Sequence, residues 1–137
     1  MGAEDLARGR SAFSADMALG DPLVLRVLRS TESHANITAI DISEGLKVSG
    51  IVGILTAKDI PGERLYGLIQ KDQPLLAQDR VRFKGEAIAV VAAKNERAAE
   101  KALSAIRVNY EPLGSVFDPE EALQESAPLV HEKGNLL

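Results

Sequence analysis

Residues Val81–Leu113, VRFKGEAIAVVAAKNERAAEKALSAIRVNYEPL, read as strand, helix, strand, a layout shared with many nucleotide-binding units. From Glu86 to Ala93 the chain alternates little and is rich in Ala, Ile and Val, as a strand buried on both faces would be. Asn95 then caps a helix from Glu96 to about Ile106, with Ala99, Ala102, Leu103 and Ile106 on one stripe. A phosphate site would need glycines between that strand and helix, so that backbone N–H groups could approach the anion. The turn, AAKNE, has none, and Glu96 and Glu100 place negative charge on the first helical turns. Gly85 precedes the strand, where it can only relieve a tight turn or a bulge. The unit is therefore read as structural.

Upstream, LVLRVLRS follows Asp21-Pro22 and has apolar residues on both faces: Leu23, Leu25 and Val27 on one, Val24 and Leu28 on the other. That pattern predicts a strand covered on both sides. NITAIDI predicts a second strand, and GIVGILTA a third, weakened by Gly53, with a brief turn around Ser43 to Leu46 between them. KDIPGERLYGLIQKDQPLLAQD holds two Gly, two Pro and several charges, which suits a long surface connection with at most one short helical turn. Downstream, VNYEPL predicts a strand ended by Pro112. FDPEEALQESAPLV predicts a short helix with Asp118 at the N-cap and Pro119 at the first helical position.

With 137 residues and 45% apolar side chains, the chain can bury one ordinary core. A formal charge of -4 argues against a nucleic-acid footprint, and no apolar run approaches the ~20 residues of a membrane span. The N-terminal stretch lacks the order of an export signal, so a soluble, cytoplasmic protein is expected. Without cysteine there are no disulfides, thiolate zinc sites or cysteine-held iron–sulfur clusters within this chain. The two histidines, His34 and His131, form no H-x-x-x-H pair. Ser30, Ser33 and His34 lack the strand-turn-helix setting of a nucleophile elbow, and adjacent side chains on extended chain point opposite ways. His34 is read as a turn-stabilising imidazole. Asp41 and Glu86 are read as strand-end carboxylates bonded to backbone N–H groups, with a paired acid and base as the alternative.

Four spaced motifs change the scale of the question: S-x-x-x-H-A-x-I from Ser30 to Ile37, L-T-A-x-D-I-P from Leu55 to Pro61, V-R-F-x-G-E-x-I-A from Val81 to Ala89, and V-x-Y-E-x-L from Val108 to Leu113. In this order, with GRSAFSAD before them and VFDPEEAL after, the chain resembles the N-terminal region of the molybdenum-binding subunit of the xanthine dehydrogenase and aldehyde oxidase family. The resemblance covers nearly the entire chain. Thr31 and Gly114 stand where the family often has proline, which leaves the backbone freer at two turns.

The resemblance implies an α+β alpha/beta-hammerhead, a mixed β-sheet with two main helices packed against it. It also implies a parent oxidoreductase that hydroxylates a purine, aldehyde or related heterocycle with water as oxygen source. Such an enzyme uses a molybdopterin cofactor in the full subunit, with iron–sulfur clusters and FAD on partner domains or subunits. The family's cofactor-contacting segments and base glutamate lie beyond the matched region. No catalytic, cofactor-binding or metal-binding residue is therefore assigned to any position here, and the chain by itself is expected to be inactive and to hold no cofactor. The expected organisation is an N-terminal arm over residues 1–20, the hammerhead over 21–130, and the start of a linker to C-terminal molybdopterin-binding domains over 131–137. Expected partners are the remainder of the molybdenum-binding subunit and the iron–sulfur and FAD subunits, with self-association of the isolated domain through uncovered apolar surface, and neither nucleic acid nor membrane. A freestanding binding or assembly module of the same shape is the alternative. A small acid/base enzyme would require Asp41 or Glu86 to meet His34 in one pocket.

Overall fold

The computed structural model describes residues 3–9, 20–68, 70–131 and 133–136. After a short helix α1 (Ala3–Ala7), the elements run β1 (Val24–Arg29), β2 (Ala35–Asp41), α2 (Ser43–Leu46), β3 (Ile51–Thr56), β4 (Leu65–Tyr66), β5 (Gln73–Pro74), β6 (Arg80–Val81), β7 (Ala87–Ala93), α3 (Glu96–Ala105), β8 (Arg107–Pro112) and α4 (Pro119–Ala122). The α+β class stands. Within it, the described strands pair antiparallel throughout, in three small sheets ordered β1-β7-β3, β6-β2-β8 and β4-β5, where one mixed sheet was expected. One helix, α3, is of ordinary length; α2 and α4 are single turns of four residues each.

The strand-helix-strand unit at the centre of the sequence divides between two sheets. Its first strand, β7, is the middle of one, and its second, β8, is an edge of the other. Helix α3 therefore carries the chain from sheet to sheet and is no βαβ crossover, which independently removes the nucleotide-binding layout. Asn95 caps it as expected, its Oδ1 accepting from the Ala98 N–H at 2.9 Å. Ala98, Ala99 and Ala102 are buried on its inner stripe, so the helix lies close on the sheet.

Register explains which side chains meet the helix. Val24, Ala93 and Ile51 form one cross-strand row of the β1-β7-β3 sheet; Arg26, Val91 and Ile54 form the next, and Leu28, Ala89 and Thr56 the third. Ala89, Val91, Ala93 and Ile54 join the α3 alanines and Ile106 in one core cluster, and Arg26 reaches Glu96 at the start of α3 as an ion pair. A second cluster, built on Ala35, Ala77, Val81 and Ile88, lies between the two larger sheets. Leu28, Ile40 and Val108 touch both clusters and join them into one core. Full burial of Ile88, Val91 and Val81 contributes about 1.5–3 kcal/mol each.

Three local expectations need correction or completion. The strand around Leu25 is an edge strand whose face away from the helix is open at Leu25, 64% exposed, and half-buried at Val27, so among the described residues β1 is not covered on both sides along its length. Apolar residues on both faces predict two-sided cover only if a second layer exists within the same chain. The connection from Lys58 to Asp79 begins on the last two residues of a 3-10 turn (Ala57–Asp59), and it contains the β4-β5 hairpin, whose two-residue strands are too short for any periodicity to reveal. Gly53 does weaken β3, as a register shift between Ile51 and Gly53. Of the expected N-terminal arm over residues 1–20, residues 1–2 and 10–19 lie outside the described residues.

Candidate functional site

Ser30, His34, Asp41 and Glu86, which the sequence offered as reactive, are each engaged in holding the backbone. Ser30 extends the β1-β7 ladder, its N–H donating to the Glu86 carbonyl at 2.8 Å and its carbonyl accepting from Gly85 at 2.9 Å. Its hydroxyl donates to the Glu32 carbonyl at 2.8 Å and accepts from the Glu32 N–H at 3.0 Å, a local turn that leaves no nucleophile. Glu86 is buried, and its Oε2 accepts from the Arg82 N–H at 2.6 Å across a turn whose Gly85 has φ +96°. That conformation favours glycine, as the position of Gly85 before the strand suggested.

Asp41 sits at the far end of β2 from His34. Its Oδ1 accepts from the Ser43 N–H at 2.9 Å, and hydrogen bonds from Ser43, side chain first and then backbone, hold the carboxyl below the usual aspartate range, with a smaller contribution from Arg107. Asp59 behaves alike. Its Oδ2 accepts from the Thr56 N–H at 2.8 Å and from the Thr56 hydroxyl at 3.0 Å, which lowers its proton affinity and closes the 3-10 turn of L-T-A-x-D-I-P. The strand-end reading of both Asp41 and Glu86 is therefore the observed one, and the two carboxylates lie at separate places in the fold.

His34 is buried just before β2, with its Nδ1 2.5 Å from the Gly114 carbonyl oxygen, while its backbone carbonyl accepts from the Leu113 N–H at 2.9 Å. It fastens the end of β8 to the start of β2, a turn-stabilising role. Its hydrogen bond goes to a carbonyl and to neither Asp41 nor Glu86, so the acid/base pair that a small enzyme would need does not assemble. His131 belongs to a C-terminal turn, its carbonyl accepting from Gly134 at 3.1 Å. Among the described residues no three His, Asp or Glu side chains gather to hold a metal. The four motifs thus encode turns, a strand pairing and buried backbone partners.

The feature with functional content is a surface whose residue pattern had suggested the interior. On the side of the β1-β7-β3 sheet away from α3, register aligns Leu25 with Ala92 and Gly53, and Val27 with Val90 and Leu55. Both rows are apolar from edge to edge. Leu25 is 64% and Leu55 52% exposed, and the bulged Val52 is 56% exposed beside them. A sheet face of this kind, bare of charge and bounded by two edge strands, is built to be covered. Alternation in LVLRVLRS did carry the signal; what it could not say was whether the cover comes from this chain.

Residues 8–114 match the model of the family described as aldehyde oxidase and xanthine dehydrogenase, a/b hammerhead domain. The chain is 41% identical over 128 residues to the nicotinate dehydrogenase large molybdopterin subunit of Eubacterium barkeri, covering 93% of itself and 30% of that protein. It is 40% identical over 129 residues to a probable xanthine dehydrogenase subunit of Bacillus subtilis, covering 94% of itself and 17% of the relative. Its fold superposes on the aldehyde oxidoreductase of Desulfovibrio desulfuricans with a TM-score of 0.85 at 30% identity, over 95% of this chain and 16% of the other. The chain spans less than a third of the length of each.

Proposed function

The chain belongs to the aldehyde oxidase and xanthine dehydrogenase family, matching its a/b hammerhead domain, and from that premise we propose that it is a non-catalytic scaffold domain of a molybdenum hydroxylase. The observation that carries the proposal is the open apolar face of the β1-β7-β3 sheet, taken with the share of its relatives that the chain spans. The occupant of that face is the remainder of the molybdenum-binding subunit, whose apolar surface would continue the core past Leu25, Val52 and Leu55. Iron–sulfur and FAD subunits complete the assembly, in line with relatives that are themselves named as subunits. A molybdopterin cofactor would supply the redox chemistry from domains outside these residues. Within this chain Ser30, His34, Asp41 and Glu86 are committed to backbone partners, which favours a scaffolding role over a reactive one.

The cytoplasm is the proposed location; among the described residues no helix is long and apolar enough to cross a membrane. An assay of the purified chain against purine and aldehyde substrates, with pterin analysis of the same sample, tests the proposal. The expected result is no turnover and no retained pterin. Turnover without added subunits would contradict it. Reading the gene beyond Leu137 separates this function from a freestanding assembly module: a frame continuing into molybdopterin-binding sequence supports the hydroxylase, and a stop codon supports the module.

A further inference from the structure

Strand β6 sends Val81 into the core and its neighbours Arg80 and Arg82 the other way, as the alternation of extended chain requires. Both arginines line a cavity of about 360 Å³, and Arg64, at the entry to β4, lines it with them. Backbone hydrogen bonds fix the segments that carry these side chains: the Leu75 N–H donates to the Arg64 carbonyl at 2.9 Å, and the Ile37 N–H donates to the Asp79 carbonyl at 2.9 Å. Three guanidinium groups thus come to one place from two separate stretches of chain.

What holds two of them is neutral. Arg64 Nη1 donates to Gln78 Oε1 at 2.8 Å, and Arg80 Nε donates to Asn36 Oδ1 at 3.3 Å. An amide oxygen orients a guanidinium without cancelling its charge, and each arginine keeps further N–H donors for another acceptor. None of the three takes part in an ion pair among the described residues, although Asp79 also lines the cavity and Glu111 stands behind Asn36, accepting from its Nδ2 at 3.4 Å. Arg82 Nε is sealed from solvent and takes no part; the terminal nitrogens of Arg80 and Arg82 are not among the buried atoms without partners, so they remain open to an occupant. Three cations against the single carboxylate of Asp79 leave this cavity positive in a chain whose formal charge is -4.

Charge and shape together choose the anion. A carboxylate is planar, carries one negative charge and is matched by a single guanidinium fork. A terminal phosphate carries about −1.5 to −2 at neutral pH and offers three strong acceptor oxygens, which answers both the excess of positive charge and the three guanidinium groups. Leu65 and Leu76 give the same cavity an apolar wall against which an organic group could lie. We propose that the Arg64–Arg80–Arg82 cavity is a binding site for a phosphate group, either inorganic phosphate or the terminal group of a small phosphomonoester. Neither source requires the hydroxylase assignment, because the residues invoked all belong to this chain.

The test is a titration of the ¹⁵N-labelled 137-residue chain at constant ionic strength, followed through the arginine Nε–H resonances. Inorganic phosphate is expected to shift those of Arg64 and Arg80 saturably while leaving that of Arg97, on the exposed side of α3, unmoved. Arg64→Gln removes an exposed side chain and should weaken binding about tenfold with the backbone spectrum intact; Arg80→Lys, which keeps the charge and loses the fork, should do the same. Arg97→Gln changes net charge as Arg64→Gln does and should leave the affinity as it was. Phenyl phosphate is the second probe: saturation at lower concentration than inorganic phosphate assigns the site to a phosphomonoester, and equal or weaker binding assigns it to the free ion. Shifts that never saturate, a stronger response to acetate than to phosphate, or equal losses in Arg64→Gln and Arg97→Gln would each overturn the proposal.

Discussion

Glu86 shows how a buried charge can be structural. Its Oε2 accepts the Arg82 N–H at 2.6 Å inside the turn that launches β7, so Glu86→Ala strands a backbone donor. That substitution should lower stability by about 1–3 kcal/mol in chemical denaturation, with Glu86→Gln losing less because an amide oxygen can still accept. Asp41 and Asp59 give a pH signature. Each has a folded-state affinity for protons below its unfolded one, through Ser43 and Thr56 respectively. Their stabilisation is complete above about pH 4 and is lost as pH falls through the lower, folded values. Thermal melts should show Asp59→Asn flattening the acid side of the stability profile while leaving its neutral side sloped as before. Asp41 and Glu86 were legible in sequence as strand-end carboxylates; the fastening of His34 to the Gly114 carbonyl was not, because it joins positions 80 residues apart in the chain.

At the scale of elements, local rules worked where local chemistry decides. Asn95 and Asp118 are found as the caps that their positions predicted, Asp118 accepting from both Glu120 and Glu121. What no local rule showed was the splitting of β7 and β8 between sheets, since pairing partners for each strand lie far away in sequence. The same holds for Gly45 in the turn after β2. It is buried against α3, and a Cβ there would lie 2.8 Å from Ile54 Cδ1, 3.1 Å from Ile106 Cγ1 and 3.3 Å from the Ala102 carbonyl oxygen. Gly45→Ala should therefore cost about 1–3 kcal/mol through displacement of α2 from α3, measured by denaturant unfolding. Gly53→Ala is the control: nothing lies within 4 Å of its added Cβ, so stability should change little.

At the scale of the whole molecule, a core joined by Leu28, Ile40 and Val108 stands next to an apolar sheet face that the described residues leave open. Composition could not distinguish the two, because residues destined for an interface with another domain follow the same hydrophobic pattern as residues destined for the interior. Under the proposed function that face meets the remainder of a longer subunit, a reading supported by relatives several times longer than this chain. Charging the face should leave the fold intact, since Leu25, Val52 and Leu55 are all more than half exposed. Sedimentation velocity over a range of concentrations, run on the chain and on its Leu25→Lys/Leu55→Lys variant, tests the claim most directly. The account predicts reversible self-association of the unaltered chain and a folded monomer for the variant; a chain that stays monomeric at every concentration, or association unchanged in the variant, would contradict it.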